Sequence, residues 1–423
     1  MKRTSAAVLF HATLWTVCGM LAAVFSTAHG CPFCLAPGQT WAEMVAEADV
    51  VVLAELQSTD DGSTGNAPSS IVKVLRVHKG RTHLPTGKLI TIPDYIFADQ
   101  GATVLLKGSL QDDSRPVVNE TFANQTPQQP AAPPVIRKVS AKTSTTIVWD
   151  FSEPQSSVAF DYIIQAPTPE IPAADRLIYF AAYLEHRDNL IAADAWGEFA
   201  NAQYEDIVRV RQSLPVENLR TWIADPDTSP DRLGLYGMLL GLCGDASDVD
   251  FLKRQIGQPS TDNVRFGVEG LMGGLLLLAG DDGLTFLEES RLKNSATPTY
   301  ECFPVIQALQ FVWTYEATLF EKDRLRKSVH PLLHREDVRE TVIRDLSRWQ
   351  DWTAVTVMPD VYEASRQDDP RTVRAIVGFL MTCRKAPEAD PATIAAADRL
   401  LTTIRQQDGG LVKAVERDLG VTP

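Results

Sequence analysis

The residues best suited to chemistry stand near the start of the chain, at Cys31-Pro32-Phe33-Cys34. Two thiols three positions apart can close a small disulfide ring, act as a redox couple, or offer two soft ligands to a metal. A redox pair becomes reactive at a helix N-terminus behind a strand, where the helix dipole lowers the thiol pKa. No strand pattern precedes this pair. No second Cys-x-x-Cys completes a zinc site, and no His follows Cys34 as covalent haem attachment requires. A structural disulfide or tether is therefore the preferred reading, with redox and metal binding as alternatives. Cys243, Cys302 and Cys383 lie in apolar helical stretches and are expected to be small buried hydrophobes.

Two other groupings call for weighing. His330 and His334 are spaced i, i+4, which on a helix puts two imidazoles on one face and makes them weak metal candidates. The zinc-protease motif needs Glu directly after the first His, and Pro331 stands there instead. Asp323, Glu336 and Asp337 are near in sequence, but a solvated turn between helices is the expectation. Glu185, His186, Asp188, Asp194 and Glu198 form a polar series that could do acid–base work if buried together. Helical spacing instead predicts that Asp188 or Asn189 caps a helix starting near Leu190, leaving Asp194 and Glu198 as a solvated face. The glycine cluster Gly270 to Gly274 lacks the Lys and Ser/Thr of a nucleotide loop and predicts close helix packing. Aromatic residues at Trp313-Thr314-Tyr315 and from Trp349 to Trp352 are expected in a helical core, or on a binding surface if exposed. No G-x-S-x-G, calcium loop or cofactor motif is present. No catalytic residue is assigned, and no cofactor is expected.

The elements that would position these residues follow a leader. Lys2 and Arg3, an apolar run from Ala6 to about Phe25, and small residues up to Ala28-His29-Gly30 have the order of an export signal, with cleavage expected before Cys31. An uncleaved anchor and a lipidated Cys31 are the alternatives, although Ala28 and His29 match a lipobox poorly. Either would be the only membrane attachment. The formal net charge is −14, and removal of Lys2 and Arg3 brings it to −16. Such a chain repels phosphate backbones, which argues against nucleic acid as a partner.

From 31 to about 169 the pattern is β. Strands are expected over Asp49–Leu56, Ile71–Val77, Lys88–Ile92, Thr103–Lys107, Thr145–Trp149 and Val158–Ile164. Thr40 and Glu43 form a capping box at the head of one short helix. A Pro/Gln-rich loop near 111–134, carrying sequons at Asn119 and Asn124, interrupts the strands. From about 170 to 423 helices take over. Leu242-Cys243-Gly244-Asp245 is echoed by Leu278-Ala279-Gly280-Asp281, and helix ends near Val312, Arg348 and Met381 continue a spacing in the middle thirties. Asp262-Asn263-Val264-Arg265, Glu336-Asp337-Val338-Arg339 and Asp369 to Arg374 each set an acidic residue shortly before a Val-Arg pair. This predicts a HEAT-like α-solenoid.

The N-terminal half resembles the netrin-like modules of tissue inhibitors of metalloproteases. The resemblance rests on Cys31-Pro32-Phe33-Cys34, on Ala48-Asp49-Val50-Val51-Val52, and on strands running into Lys79-Gly80 and over Lys88 to Ile92. It implies an OB-fold barrel. It also implies that the Cys31 α-amine and carbonyl reach a protease metal. The family has Cys-x-Cys, whereas this chain has Cys-x-x-Cys and no cysteine between Cys34 and Cys243. The whole chain also resembles secreted proteins with HEAT-like repeats common in planctomycete bacteria. The residues behind that likeness are the same N-terminal tetrad, Tyr183 to Asp188, Ile191 to Ala195, and Glu198-Phe199-Ala200. The combined expectation is α+β: an N-terminal OB or netrin-like β-barrel followed by an α-solenoid. The function expected is non-enzymatic binding or scaffolding of an extracytoplasmic protein or ligand.

Overall fold

The computed structural model describes residues 30–34, 38–63, 65, 67–112, 145–258 and 265–420. The leader, most of the Pro/Gln-rich loop with Asn119 and Asn124, and Asp262-Asn263-Val264 lie outside these residues.

The chain begins with α1 (Trp41–Glu47), where Thr40 and Glu43 form the expected capping box. Five strands follow: β1 (Val50–Asp60), β2 (Ser69–Lys79), β3 (Leu89–Ile92), β4 (Thr103–Asp112) and β5 (Thr145–Pro154). They form an antiparallel sheet in the order β3-β2-β1-β4-β5. Among the described residues this sheet is open, with β3 and β5 as its edges. Central strand β1 is apolar on both sides, as its run of valines dictates. One side, with Val50, Val52, Ala54 and Leu56, joins Val72, Val74, Val104 and Leu106 in a small core closed by Leu84 and Ile96 from the loops. On the other side, Val51, Leu53 and Leu105 pack into the same core as Trp41, Phe160 and the helices beyond. Sheet and helices are thus continuous through one apolar interior.

The switch to helix comes earlier than the prolines at 167–172 suggest. Val158 to Ile164, expected as a strand, is helix α2 (Ser157–Gln165). The Ser156 hydroxyl accepts from the Ala159 N–H and starts the turn. Burial falls on Ala159, Phe160, Tyr162 and Ile163, a helical spacing, while Val158 is exposed. Beyond it run α3 (Ala173–Ala181), α4 (Asn189–Asn201), α5 (Tyr204–Arg209), α6 (Val216–Ala224), α7 (Pro230–Cys243) and α8 (Ala246–Ile256). Next come α9 (Val268–Leu287), α10 (Thr299–Tyr315), α11 (Lys322–Val329), α12 (Arg339–Arg348) and α13 (Met358–Ser365). The described part ends with α14 (Pro370–Cys383), α15 (Pro391–Gln407) and α16 (Gly409–Asp418).

The two echoing tetrads fall at equivalent breaks. Gly244 ends α7 and Asp245 caps α8, while Gly280 interrupts α9 with a left-handed φ of 51°. The glycine cluster does what its composition predicts. A Cβ on Gly270 would lie 1.9 Å from the Gly234 carbonyl oxygen, and one on Gly274 would lie 2.1 Å from that of Gly237. Only hydrogen fits there, so α7 and α9 cross backbone to backbone. Helix α9 and the turn after it form the one stretch among the described residues (Val268–Leu292) long and apolar enough to suit a membrane span, and it is largely buried in this core. Trp349 and Trp352 are buried, and Trp313 stacks on Trp349 at 4.8 Å, so this aromatic group is core.

Candidate functional site

The N-terminal tetrad is held by the helices. Cys31 and Cys34 are joined by a disulfide, with their Cα atoms 5.3 Å apart. The Cys34 N–H donates to the Cys31 carbonyl at 3.2 Å, closing a tight turn. Cys31 is only 5 % exposed, and its N–H donates to the Ala200 carbonyl at the end of α4 at 2.9 Å. Phe33 points away from the turn and lies over Gly273 of α9, where a Cβ would sit 2.6 Å from its ring. Its ring centroid is 4.8 Å from that of Phe311 in α10. The result is a disulfide-closed hook with an aromatic barb, seated across α4, α9 and α10.

Helix α4 also holds the segment that follows the hook. Its sequence explains how: Asp188 caps the first turn by accepting from the Leu190 N–H, and carboxylates recur one turn apart at Asp194 and Glu198. These two were expected in solvent, and the structure corrects this. Asp194 is 8 % exposed and Glu198 2 % exposed. Asp194 accepts from the Trp41 backbone N–H through Oδ1 and from the Tyr162 hydroxyl through Oδ2, both at 2.8 Å. Arg176 of α3 lies 3.1 Å from Glu198. Asn201 donates to the Gly38 carbonyl at 3.3 Å. The reason for the burial is that α1 and the residues before it lie across this face of α4.

Burial pushes both carboxyls up from the usual range, against the hydrogen bonds from Trp41 and Tyr162 in one case and from Thr40 in the other. Burial, reinforced by the Asp194 carboxylate, likewise raises the Tyr162 hydroxyl. Tyr179 and Tyr183 pack on Tyr162 with centroids 5.8 and 4.9 Å away. A carboxylate pair with a tyrosine resembles acid–base machinery in composition. Its donors, however, are backbone and side-chain groups of the same chain, and it is closed to solvent. This arrangement acts as a clamp.

The remaining members of the polar series are dispersed. Glu185 instead pairs with α7, accepting from Tyr236 at 2.6 Å and from Arg232 at 3.0 Å. His186 accepts from the Asp188 N–H. His330 and His334 lie in a short 3-10 turn and do not act as a pair. His330 bonds Asp351 at 2.6 Å, a partner that sequence spacing did not suggest, and His334 is exposed. Asp351 also accepts from Thr353, and these bonds together with the His330 contact outweigh burial and hold its carboxyl below the usual range. Among the described residues no three His, Cys, Asp or Glu side chains converge where a metal ion would sit. Burial pushes the Cys243 thiol up to about 11, and it also raises those of Cys302 and Cys383, so these free thiols are poor nucleophiles.

The signal that could have located the clamp is the pairing of the Thr40 box with α4. It acts over 153 residues from Trp41 to Asp194, beyond the reach of local spacing. The chain matches no protein-family model, no curated protein and no solved structure.

Proposed function

We propose that this is an exported, non-enzymatic binding or scaffold protein, in which an OB or netrin-like β module is fastened to a HEAT-like solenoid by the N-terminal disulfide hook. The observation that carries the reading is the seating of the bridged turn on the helices, with Cys31 buried on α4 and Phe33 packed on α9 and α10. A disulfide is kept in an oxidising compartment, which supports export. A redox couple needs an accessible, activated sulfur at a helix N-terminus. Here Cys31 is covered, and α1 starts well after Cys34. The same burial disfavours the inhibitor role that the netrin-like resemblance implies, because the Cys31 nitrogen already donates to Ala200. A sulfur bonded to Cys34 also cannot carry the thioether of a lipid anchor, so bridge and lipidation exclude one another.

Support for the solenoid comes from the separations over which helices are tied. Gln310 donates to Asp345, Arg324 to Glu288, Trp352 to Glu388 and Arg335 to the Thr297 carbonyl, across 35, 36, 36 and 38 residues. Ties that recur at such similar separations are what stacked helical units produce.

Intact mass and N-terminal sequencing of the protein recovered from an exporting host test this reading. The expected species starts at Cys31 and takes up alkylating groups at Cys31 and Cys34 only after reduction. A leader-bearing chain with free Cys31 and Cys34, or a diacylglyceryl adduct, would overturn it. So would a disulfide-exchange activity that is lost in Cys34→Ser while the fold is kept.

A further inference from the structure

Against the chain's net charge of −14, residues 69–93 carry five Lys and Arg, two His, and no Asp or Glu. The run coincides with β2, the turn after it, and β3. It borders a cleft of about 420 Å³ between this hairpin and α2. That size falls within the range of small-ligand sites, roughly 300–1,000 Å³.

The cationic groups around this cleft are not equivalent. Lys79 is used elsewhere: its Nζ donates to the carbonyls of Val45, Ala46 and Ala48 at the end of α1. Arg76 is anchored in the wall, with its guanidinium 4.9 Å from the Phe160 ring centroid and 2.6 Å from Asp161. Arg81 is exposed at the rim and donates through Nε to the Val77 carbonyl at 3.3 Å. Among the described residues no carboxylate pairs with it. Its two Nη groups form the planar fork that suits a carboxylate. His78 lines the cleft beside it, and Pro85 and Ile164 supply an apolar side above the buried Phe160.

We propose that this cleft binds a small organic carboxylate with an apolar body, its charge on Arg81 and His78 and its hydrocarbon against Pro85 and Ile164. Loss of hydration in the cleft, then the Lys79 and Arg81 charges, hold the His78 imidazole below its ordinary value. Near neutral pH it is therefore an uncharged donor, and the site offers one unpaired positive charge. This inference does not depend on where the protein resides or on the role of the hook.

Calorimetric titration with 4-phenylbutyrate, its uncharged amide and inorganic phosphate tests the site. The carboxylate is expected to bind saturably below about 10 mM, the amide and phosphate at least about tenfold more weakly, and added salt to weaken the carboxylate. Arg81→Gln changes an exposed side chain and should weaken the carboxylate about tenfold. Arg348→Gln, in a separate arginine-lined cleft, should leave it unchanged. No saturable binding, equal binding of acid and amide, phosphate binding as tightly as the carboxylate, or an unaffected Arg81→Gln variant would each overturn the proposal.

Discussion

Asp194 shows how much one buried carboxyl can organise. It satisfies a backbone N–H of α1 and a hydroxyl of α2 at once, so Asp194→Ala would strand two buried donors and cost roughly 3 kcal/mol. Urea denaturation would show the loss; a change below 1 kcal/mol would mean that water replaces the carboxylate freely. Its pH dependence has a definite sign. The folded pKa is raised by burial, so the carboxyl's contribution is most favourable at low pH and is lost as pH climbs from the unfolded value through the folded one. Asp194→Asn should flatten that part of the stability profile. Cys31 and Cys34 act at the same scale. Closing so short a loop contributes about 2 kcal/mol by chain entropy, so reduction should lower the denaturation free energy by that amount. An unchanged midpoint after complete reduction would show that the barb and the clamp alone hold the segment.

At the scale of elements, the crossing of α7 and α9 makes the sharpest demand on sequence. Gly274→Val would drive a side chain into the Gly237 carbonyl and part the helices, costing about 3 kcal/mol or more. Gly378 in α14 has open space where a Cβ would go, so Gly378→Ala should instead stabilise by about 1 kcal/mol. Thermal melts of the two variants should therefore move in opposite directions; a shared sign would show that the crossing is looser than described. Composition made this crossing legible, because a cluster of glycines in an apolar helix has few other uses. Helix α2 was not legible in the same way. Its β-branched and aromatic residues read as strand, and the deciding features were the Ser156 cap and the exposure of Val158.

For the whole molecule, the consequential fact is that one apolar core runs from Val51 and Leu53 in the sheet through Phe160 to the helices. Two halves that share a core should lose structure together. Hydrogen exchange across a urea series should give β1 and α4 amides the same midpoint. A midpoint for β1 well below that of α4 would show that the sheet is a separable unit.

The capped helices, the β1 to β4 pattern, the small-residue crossing and a bridge between cysteines three apart were all available from the sequence, because each depends on neighbours within a turn or a strand. The seat of the hook, the burial of Asp194 and Glu198, and the pairing of His330 with Asp351 were decided by tertiary structure. A carboxylate spaced for a solvated helix face looks the same on paper whether water or another segment covers it. Only the long-range return of residues 30–34 and 38–41 onto α4 determines which solvent those groups meet, and with it their protonation and their role.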